Sequence, residues 1–341
     1  MTDRIVVLDK EKMLEAIQSW PDQLEAAWSS HWTKDPPIIP SGIEQVLICG
    51  LGGSGIAGEL LKEFGEGISP RIILTWADYR LPHWVNQKTL VVLVSYSGDT
   101  EEVIDAAKLA LAKKIPTIAL TGGGKLAALL EENDRPVLKI DFKGAPRTSL
   151  GSQYGLLLVL AAKLDLLPVS EKEFFLALKE FSQVVREKAF FSKAQNLALT
   201  LNNKVPVILA HRPLTAVARR WQTQLNENSK TFGLAADLPE AGHNFIVGLD
   251  FAVTEKLAIF YLESAYGFSR NLARRKLLGE LLLAKGIGVT PIAVETSHLL
   301  SEQWLMIYFG DLLSYFLAGV YGIDPSPVEI IEQLKTKLAK L

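Results

Sequence analysis

The 341-residue chain contains a single cysteine, Cys49. One thiol excludes an intrachain disulfide framework and a metal site built from several cysteines. The sequence also has no His-x-x-x-His pair and no acidic cation-binding loop, so no metal centre is expected. The N-terminal segment lacks the long apolar core of a secretory signal peptide. From these absences we expect a metal-free protein of the cytoplasm, although a secreted protein poor in cysteine would have the same low cysteine count.

An excess of charge of either sign is also missing. The chain has 36 Lys and Arg against 38 Asp and Glu, a net charge of −2. The chain has no excess of Lys and Arg that would attract nucleic acid or an anionic membrane, so neither partner is expected. The most apolar run, Trp304–Val320, contains Asp311 and falls short of the roughly 20 residues that span a bilayer. We interpret it as a buried helix.

Hydrophobic residues make up 48% of the chain and charged residues 22%, which is typical of a globular protein. Apolar strand patterns alternate with helical ones, which predicts parallel sheets covered on both faces. The predicted strands are Gln45–Cys49, Ile72–Trp76, Thr89–Val94, Thr117–Leu120, Pro136–Ile140, Val205–Ala210, Lys256–Leu262 and Gly288–Val294. The predicted helices are residues 10–29, a segment ending near Phe64, Thr100–Lys113, Gly151–Leu167, Glu171–Ala189, Leu214–Leu225, Arg270–Lys285, Leu299–Tyr321 and Pro327–Leu341. The pattern predicts two α/β domains, residues 1–165 and 166–341.

A glycine-rich loop, Gly50–Gly58, follows the first predicted strand and opens a helix. Glycines let the backbone approach an anion closely, and a helix N-terminus offers free N–H groups. The Gly50-x-Gly52-x-x-Gly55 spacing also fits a dinucleotide-binding loop. In such a loop an acidic residue roughly 20 residues further on binds the ribose, and the candidate here, Asp78, lies later in the chain than that. A tight turn without a ligand is a third interpretation.

A second loop, Ser95–Thr100, follows another predicted strand and carries the hydroxyls of Ser95, Ser97 and Thr100. Hydroxyls and N–H groups suit a phosphate monoester, which needs several donors from more than one direction. Helix capping alone would also explain them. Two such loops at neighbouring strand ends favour one phosphate site at the carboxyl edge of the sheet.

Several further motifs accompany these loops. They are Ala145-Pro146-Arg147, Trp221-Gln222-Thr223-Gln224-Leu225-Asn226-Glu227-Asn228-Ser229-Lys230, Pro239-Glu240-Ala241-Gly242-His243-Asn244 and Asp324-Pro325-Ser326-Pro327-Val328. Together with the two loops they resemble the bifunctional phosphoglucose/phosphomannose isomerase family of the sugar isomerase (SIS) superfamily, from about residue 45 to the C-terminus. The resemblance implies two SIS-type αβα sandwich domains with doubly wound parallel sheets. It also implies a cofactor-free aldose–ketose isomerase that interconverts glucose 6-phosphate and fructose 6-phosphate, and also mannose 6-phosphate, through a cis-enediol.

The resemblance assigns roles to individual residues. Glu227 would be the base, Arg147 would stabilise the enediolate, and Lys335 would assist ring opening. Lys337 and Lys340 lie close in sequence and stay open as alternatives to Lys335. His243 would open the ring and come from the partner subunit of a homodimer with shared active sites; His211 is its best rival among the histidines. Ser326 would govern acceptance of the mannose epimer. The phosphate of the hexose 6-phosphate substrate would be bound by Gly52, Gly53, Ser54, Ser95, Ser97 and Thr100.

The chain departs from the family pattern at three positions. Asp99 stands where the family usually has Asn, which adds a carboxylate beside the expected phosphate. Phe245 follows His243-Asn244 in place of a polar or acidic residue, and Ser326 replaces a Thr. Two other functions stay open at this point: a non-catalytic regulatory protein that binds sugar phosphates, and a nicotinamide-dependent oxidoreductase that uses the glycine loop.

Overall fold

The computed structural model describes residues 5–30, 42–250, 254–338 and 340. They form two compact units. The N-terminal unit consists of Gln18–Gln183 and Glu295–Trp304; the C-terminal unit consists of the described parts of Met1–Ile17, Val184–Val294 and Leu305–Leu341. The division into domains 1–165 and 166–341 stays a prediction.

Five parallel strands form the sheet of the N-terminal unit. They are β1 (Gln45–Cys49), β2 (Ile72–Trp76), β3 (Thr89–Ser95), β4 (Thr117–Thr121) and β5 (Val137–Lys139). Their order is β2-β1-β3-β4-β5, with Gln45 opposite Ile72 on one side and Thr89 on the other. All seven residues of β3 are buried, as expected for a strand covered on both faces. The chain leaves β1 and β3 on opposite sides of the sheet, so their carboxyl ends form the switch point where such sheets bind ligands.

Helices alternate with these strands. The first seven are α1 (Met13–Gln18), α2 (Trp20–Trp28), α3 (Gly52–Gly65), α4 (Glu101–Ala112), α5 (Gly124–Glu132), α6 (Leu150–Lys163) and α7 (Glu171–Val185). The side chain of Gln23 on α2 donates to Thr148 O at 3.0 Å, and its Oε1 accepts the Ser152 N–H at 3.0 Å. These buried bonds fix the start of α6 and the 3₁₀ turn Pro146–Ser149 that precedes it.

Four parallel strands form the sheet of the C-terminal unit: β6 (Val205–His211), β7 (Leu234–Leu238), β8 (Leu257–Leu262) and β9 (Val289–Ile292). Their order is β7-β6-β8-β9. The remaining helices are α8 (Lys188–Thr200), α9 (Thr215–Asn228), α10 (Ser269–Ala284), α11 (Leu299–Val320) and α12 (Glu329–Leu338). The doubly wound parallel α/β architecture confirms the predicted fold class.

The run Trp304–Val320 forms the larger part of α11 and is buried along almost its whole length, as predicted. Among the described residues, no helix combines the length and apolarity needed to cross a bilayer.

Several boundaries differ from the sequence prediction. The predicted helix 10–29 is two helices, because Pro21 lacks the N–H that would continue α1 into α2. The predicted helix Glu171–Ala189 ends at Val185, and α8 begins separately at Lys188. Helix α5 and strand β7 were not predicted. Two glycines precede α5 and a third is its first residue, and β7 is an edge strand in which only Leu238 is buried, so neither has a clear periodic pattern.

Candidate functional site

The glycine loop joins β1 to the N-terminus of α3. Gly52 has φ +55°, a conformation that L side chains rarely adopt. A Cβ at Gly55 would lie 2.7 Å from Gly50 O, so this turn requires glycine. A Cβ at Gly53 would lie 3.5 Å from the Arg147 Cα, which places the turn of Arg147 directly against the loop. The predicted phosphate residues Gly52 and Gly53 therefore adjoin the predicted enediolate stabiliser.

The hydroxyl loop joins β3 to α4 and lies beside the glycine loop. Ser95 and Thr100 share a hydrogen bond of 2.8 Å between their hydroxyl oxygens. The Ser95 hydroxyl also accepts the Gly98 N–H at 3.1 Å. The Tyr96 N–H donates to Ser54 Oγ at 3.4 Å, which joins the two loops. The structure thus brings the predicted phosphate residues together at the carboxyl ends of β1 and β3.

The extra carboxylate of Asp99 has a partner of its own. Asp99 is exposed, and its Oδ1 accepts the Lys125 N–H at 3.3 Å in the first turn of α5. Negative charge is stabilised at a helix N-terminus, so this contact holds the carboxylate toward α5. The departure from the family pattern is thereby accommodated by a helix that the sequence did not predict.

Arg147 itself is buried, with 5% of its surface exposed.

Glu227 lies in the last turn of α9 and is half-buried. The neighbouring amides fix this turn: Asn226 Oδ1 accepts the Gly233 N–H at 3.0 Å, and Asn228 Nδ2 donates to Ser314 Oγ at 3.0 Å. Because Gly233 immediately precedes β7, the first of these bonds places Glu227 near the amino end of that strand.

A buried ion pair anchors the same helix. Arg220 on α9 makes two bonds to the Asp311 carboxylate on α11, of 3.1 and 3.0 Å, and both side chains are 1% exposed. Arg220 precedes Glu227 by two helical turns, so this pair and the Trp221 Nε1 bond to Met306 O hold the helix that carries Glu227. The sequence did not predict this pair. The position of Asp311 inside an apolar run could have indicated it, because a buried carboxylate requires a partner.

His243 follows β7 and a 3₁₀ turn, Glu240–Gly242. Its side chain is exposed. Glu240 shapes the segment, because its carbonyl accepts the His243 N–H at 2.8 Å and its carboxylate accepts from Asn244 Nδ2 at 2.6 Å. Phe245, at the second departure from the family pattern, is half-buried and packs against the apolar core of the C-terminal unit.

Glu227 and His243 lie at opposite edges of the second sheet. Helix α9 runs from the carboxyl edge, where β6 ends, back to the amino edge. Strand β7 then runs to the carboxyl edge, and His243 follows it. The strand alone spans four residue steps of about 3.3 Å, or roughly 13 Å. The structure therefore does not bring Glu227 and His243 of one chain together.

Ser326 and Lys335 belong to the segment that follows α11. Ser326 is buried, and its N–H donates to Asp324 Oδ1 at 2.9 Å. The adjacent Pro325 carbonyl accepts from Lys230 Nζ at 3.2 Å, and the same ammonium lies 2.6 Å from Glu227 O. Ser326 is thus bonded, through Pro325 and Lys230, to the end of α9.

Lys335 is exposed on α12. The helix predicted over Pro327–Leu341 also included Ala339 and Leu341, which lie outside the described residues.

His211, the rival histidine, is fully buried at the end of β6. Its ring packs against Tyr261 and directly against Gly267, where no side chain would fit. Burial lowers the pKa of His211 because the charged imidazolium loses its hydration. An imidazole enclosed in this way is not placed to exchange protons with a substrate.

This burial predicts an acid-side loss of stability. Below about pH 6.5, the ordinary His pKa, the unfolded chain binds a proton at residue 211 that the folded chain does not bind. The contribution of His211 to the free energy of unfolding should therefore be fully present above that pH. It should fall, by at most about 1.4 kcal/mol per pH unit, as the pH drops toward the lowered pKa of the folded state. Urea unfolding of the wild type and of His211→Gln between pH 7.5 and 5 measures the difference. His83→Gln, at an exposed position, is the control. Equal pH slopes for the wild type and His211→Gln would contradict the prediction.

The described residues contain no cluster of three or more His, Cys, Asp or Glu side chains suited to a metal ion. Cys49 is buried in β1, and burial raises the pKa of its thiol to about 12. Asp78, the late candidate for a ribose partner, is exposed beyond the end of β2, and its Oδ1 accepts the Tyr79 N–H at 2.7 Å.

Comparison with known proteins extends these observations. Residues 190–338 match the model of the bacterial phospho-glucose isomerase C-terminal SIS domain. A bifunctional phosphoglucose/phosphomannose isomerase of Caldicellulosiruptor bescii is 34% identical over 96% of this chain and 99% of its own length. One from Aquifex aeolicus is 31% identical over 86% of this chain and 90% of its own.

Among solved structures, the C-terminal domain of glucosamine-fructose-6-phosphate aminotransferase from Francisella tularensis aligns with a TM-score of 0.72. It is 16% identical, and the alignment covers 93% of this chain and 98% of that one, so it supports the fold alone. Near-full-length identity above 30% supports more than the fold. The chain belongs to the bifunctional phosphoglucose/phosphomannose isomerase family.

Proposed function

We propose that this chain is a cytoplasmic aldose–ketose isomerase that interconverts glucose 6-phosphate and fructose 6-phosphate, and also accepts mannose 6-phosphate. The names of its relatives support this substrate class. The observation that carries the proposal is the junction of the glycine loop, the hydroxyl loop and the Arg147 turn at the switch point of the first sheet. Hydroxyl and backbone N–H groups there lie beside the turn that carries Arg147, which supports a site for a phosphorylated sugar.

The phosphate would bind at the N-termini of α3 and α4. Each helix start offers N–H groups and the positive end of its dipole, and the second adds the hydroxyls of Ser95, Ser97 and Thr100. A phosphate held there lets remote binding energy orient the reacting carbons of the sugar. The bond between Ser95 and Thr100 keeps both hydroxyls in place before substrate arrives.

Glu227 would transfer the proton. Its carboxylate takes the proton from C2 of the open-chain aldose, which leaves a cis-enediolate with the charge on O1. After the O2 proton has moved to O1, the protonated Glu227 returns its proton to C1, and O2 becomes the carbonyl oxygen of the ketose. Asp311, Ser314 and Met306 hold the helix through Arg220, Asn228 and Trp221, so the base would be held in a fixed position. The Arg147 guanidinium stays charged at any working pH and would offset the charge that develops on the enediolate oxygen.

Ring opening would use His243 of the partner subunit. Glu227 and His243 of one chain lie at opposite edges of the second sheet, whereas both must reach one hexose phosphate. A homodimer in which each site combines Glu227 of one copy with His243 of the other resolves this separation. The exposed position of His243 supports its presentation to a second copy. Lys335, exposed on α12, would assist the same step.

Ser326 would set the tolerance for the epimer at C2. Serine keeps the hydroxyl of the threonine that the family usually has, but lacks its methyl group. We expect Ser326→Thr to change the ratio of kcat/KM for mannose 6-phosphate to that for glucose 6-phosphate by about 3- to 10-fold, since one methyl group in a buried site contributes about 1 kcal/mol or more. Assays with both aldoses measure the ratio, and Ser326→Ala separates the hydroxyl from the methyl. An unchanged ratio in Ser326→Thr would remove Ser326 from this role.

The proposed function is tested with a coupled assay in which fructose, glucose and mannose 6-phosphates are supplied side by side. Turnover that a chelator leaves unchanged is the expected result. Tight binding of sugar phosphates without turnover would instead favour the non-catalytic regulatory protein. Thermal stabilisation by a nicotinamide cofactor but not by sugar phosphates would favour the oxidoreductase.

A further inference from the structure

Lys230 connects the two elements of the C-terminal unit that carry Glu227 and Ser326. It lies two residues beyond the end of α9. Its Nζ is 2.6 Å from the carbonyl oxygen of Glu227 and 3.2 Å from that of Pro325. Pro325 immediately precedes Ser326, and both are buried. One ammonium group therefore bonds the backbone of the candidate base and the backbone beside the candidate epimer-selecting residue.

We propose that Lys230 is a positioning residue that holds Glu227 and Ser326 in one fixed geometry and thereby sets both the rate of proton transfer and the tolerance for the epimer. This inference rests on the proposed function. Lys230 acts through backbone carbonyls and does not itself touch the substrate.

The backbone of Lys230 is left-handed, a conformation that it shares with six other non-glycine residues of the described chain, among them Lys114 two residues beyond α4. Its φ is +53°, in the left-handed region that glycine adopts freely and that disfavours a residue with a Cβ. Glycine would be the ordinary residue at such a position after a helix. The chain instead has a lysine whose ammonium makes two hydrogen bonds that glycine cannot make.

The loop bound by this ammonium has an internal turn of its own. The Ser326 N–H donates to Asp324 Oδ1 at 2.9 Å, which closes a turn over residues 324–326. Loss of the Lys230 ammonium would remove its bond between this turn and the end of α9, whereas the bond from Ser326 to Asp324 would remain. The Ser326 hydroxyl would then shift relative to the Glu227 carboxylate, and small displacements of this kind reduce proton-transfer rates strongly.

Three substitutions separate positioning from a purely structural role. Lys230→Met keeps most of the aliphatic stem and removes the ammonium. Lys230→Arg keeps the charge and the donors. Lys230→Gly removes the side chain but relieves the left-handed conformation, so it should retain or raise the melting temperature. Lys88→Met is the matched control, since Lys88 is an exposed lysine whose ammonium pairs with Glu44 at the amino edge of the first sheet.

We expect Lys230→Met and Lys230→Gly each to lower kcat for fructose 6-phosphate by about 10-fold or more, with KM changed less than threefold. Both should also shift the mannose-to-glucose ratio of kcat/KM by about threefold or more. Lys230→Arg should recover most of the loss, and Lys88→Met should match the wild type.

A wild-type chain that turns over neither aldose would overturn the proposed function and this inference with it. An active wild type whose Lys230→Met and Lys230→Gly variants keep the same kcat and the same epimer ratio would overturn the inference alone. A loss of activity in Lys230→Met that follows only a fall in melting temperature, with Lys230→Gly fully active, would also overturn it.

Discussion

Replacing Glu227 by Gln should lower kcat for isomerisation by about 10³-fold, while glucose 6-phosphate still binds nearly as tightly as to the wild type. The amide has the shape of the carboxylate but does not accept the proton from C2. The backbone carbonyl of Glu227 still accepts from Lys230, and the anchors of α9 through Arg220 and Asn228 are unaffected. The proposed phosphate-binding groups lie on other elements, so the binding energy that they would supply should persist.

Two measurements check this expectation. A coupled assay in both directions gives kcat and KM, and titration calorimetry gives the affinity for glucose 6-phosphate. Glu280→Gln, an exposed carboxylate on α10, is the matched control and should keep wild-type turnover. More than a few per cent of wild-type turnover in Glu227→Gln would show that another group acts as the base.

The first sheet and its two loops could be predicted from the sequence because local patterns determine them. Strand β3 is a continuous apolar run, and such runs predict fully buried parallel strands. The loops follow β1 and β3 directly, and the carboxyl ends of neighbouring parallel strands meet at one edge. Knowledge of these strands was therefore enough to place Ser54 near Ser95.

The separation of Glu227 from His243 could not be predicted in the same way. It depends on β7, whose sequence Leu234–Leu238 has no apolar run because the strand lies at the edge of its sheet. Without β7, the sequence between Glu227 and His243 predicts a single loop, and a loop would allow the two side chains to be neighbours. The strand instead carries the chain across the sheet.

The Arg220–Asp311 pair and the Lys230–Pro325 bond could not be predicted from the sequence either. Each joins residues more than 90 positions apart, and no local period indicates which polar side chains meet. Only packing of α9 against α11 and the segment after it brings them together. These non-local bonds hold the helix and the loop around Glu227, the base that we propose from the sequence motif.

A dimer built from two inactive variants should regain activity. We expect Glu227→Gln and His243→Gln, each purified alone, to lose about 10²-fold or more in kcat. When the two chains are co-expressed with different affinity tags and purified over both, the mixed dimer should show about half of the wild-type kcat per dimer, because one of its two symmetry-related sites keeps both residues intact.

The size of this recovery distinguishes the two arrangements of the site. If each site used Glu227 and His243 of the same chain, both sites of the mixed dimer would be defective and its activity would stay at the level of the parents. That result, or the failure of any mixed dimer to form, would contradict the shared site. A mixed dimer of Glu227→Gln with a second Glu227→Gln chain is the control for tagging and purification, and it should remain inactive. The recovery is expected because the second sheet separates the carboxylate and the imidazole within each chain, so the missing group of each proposed site would come from a second copy.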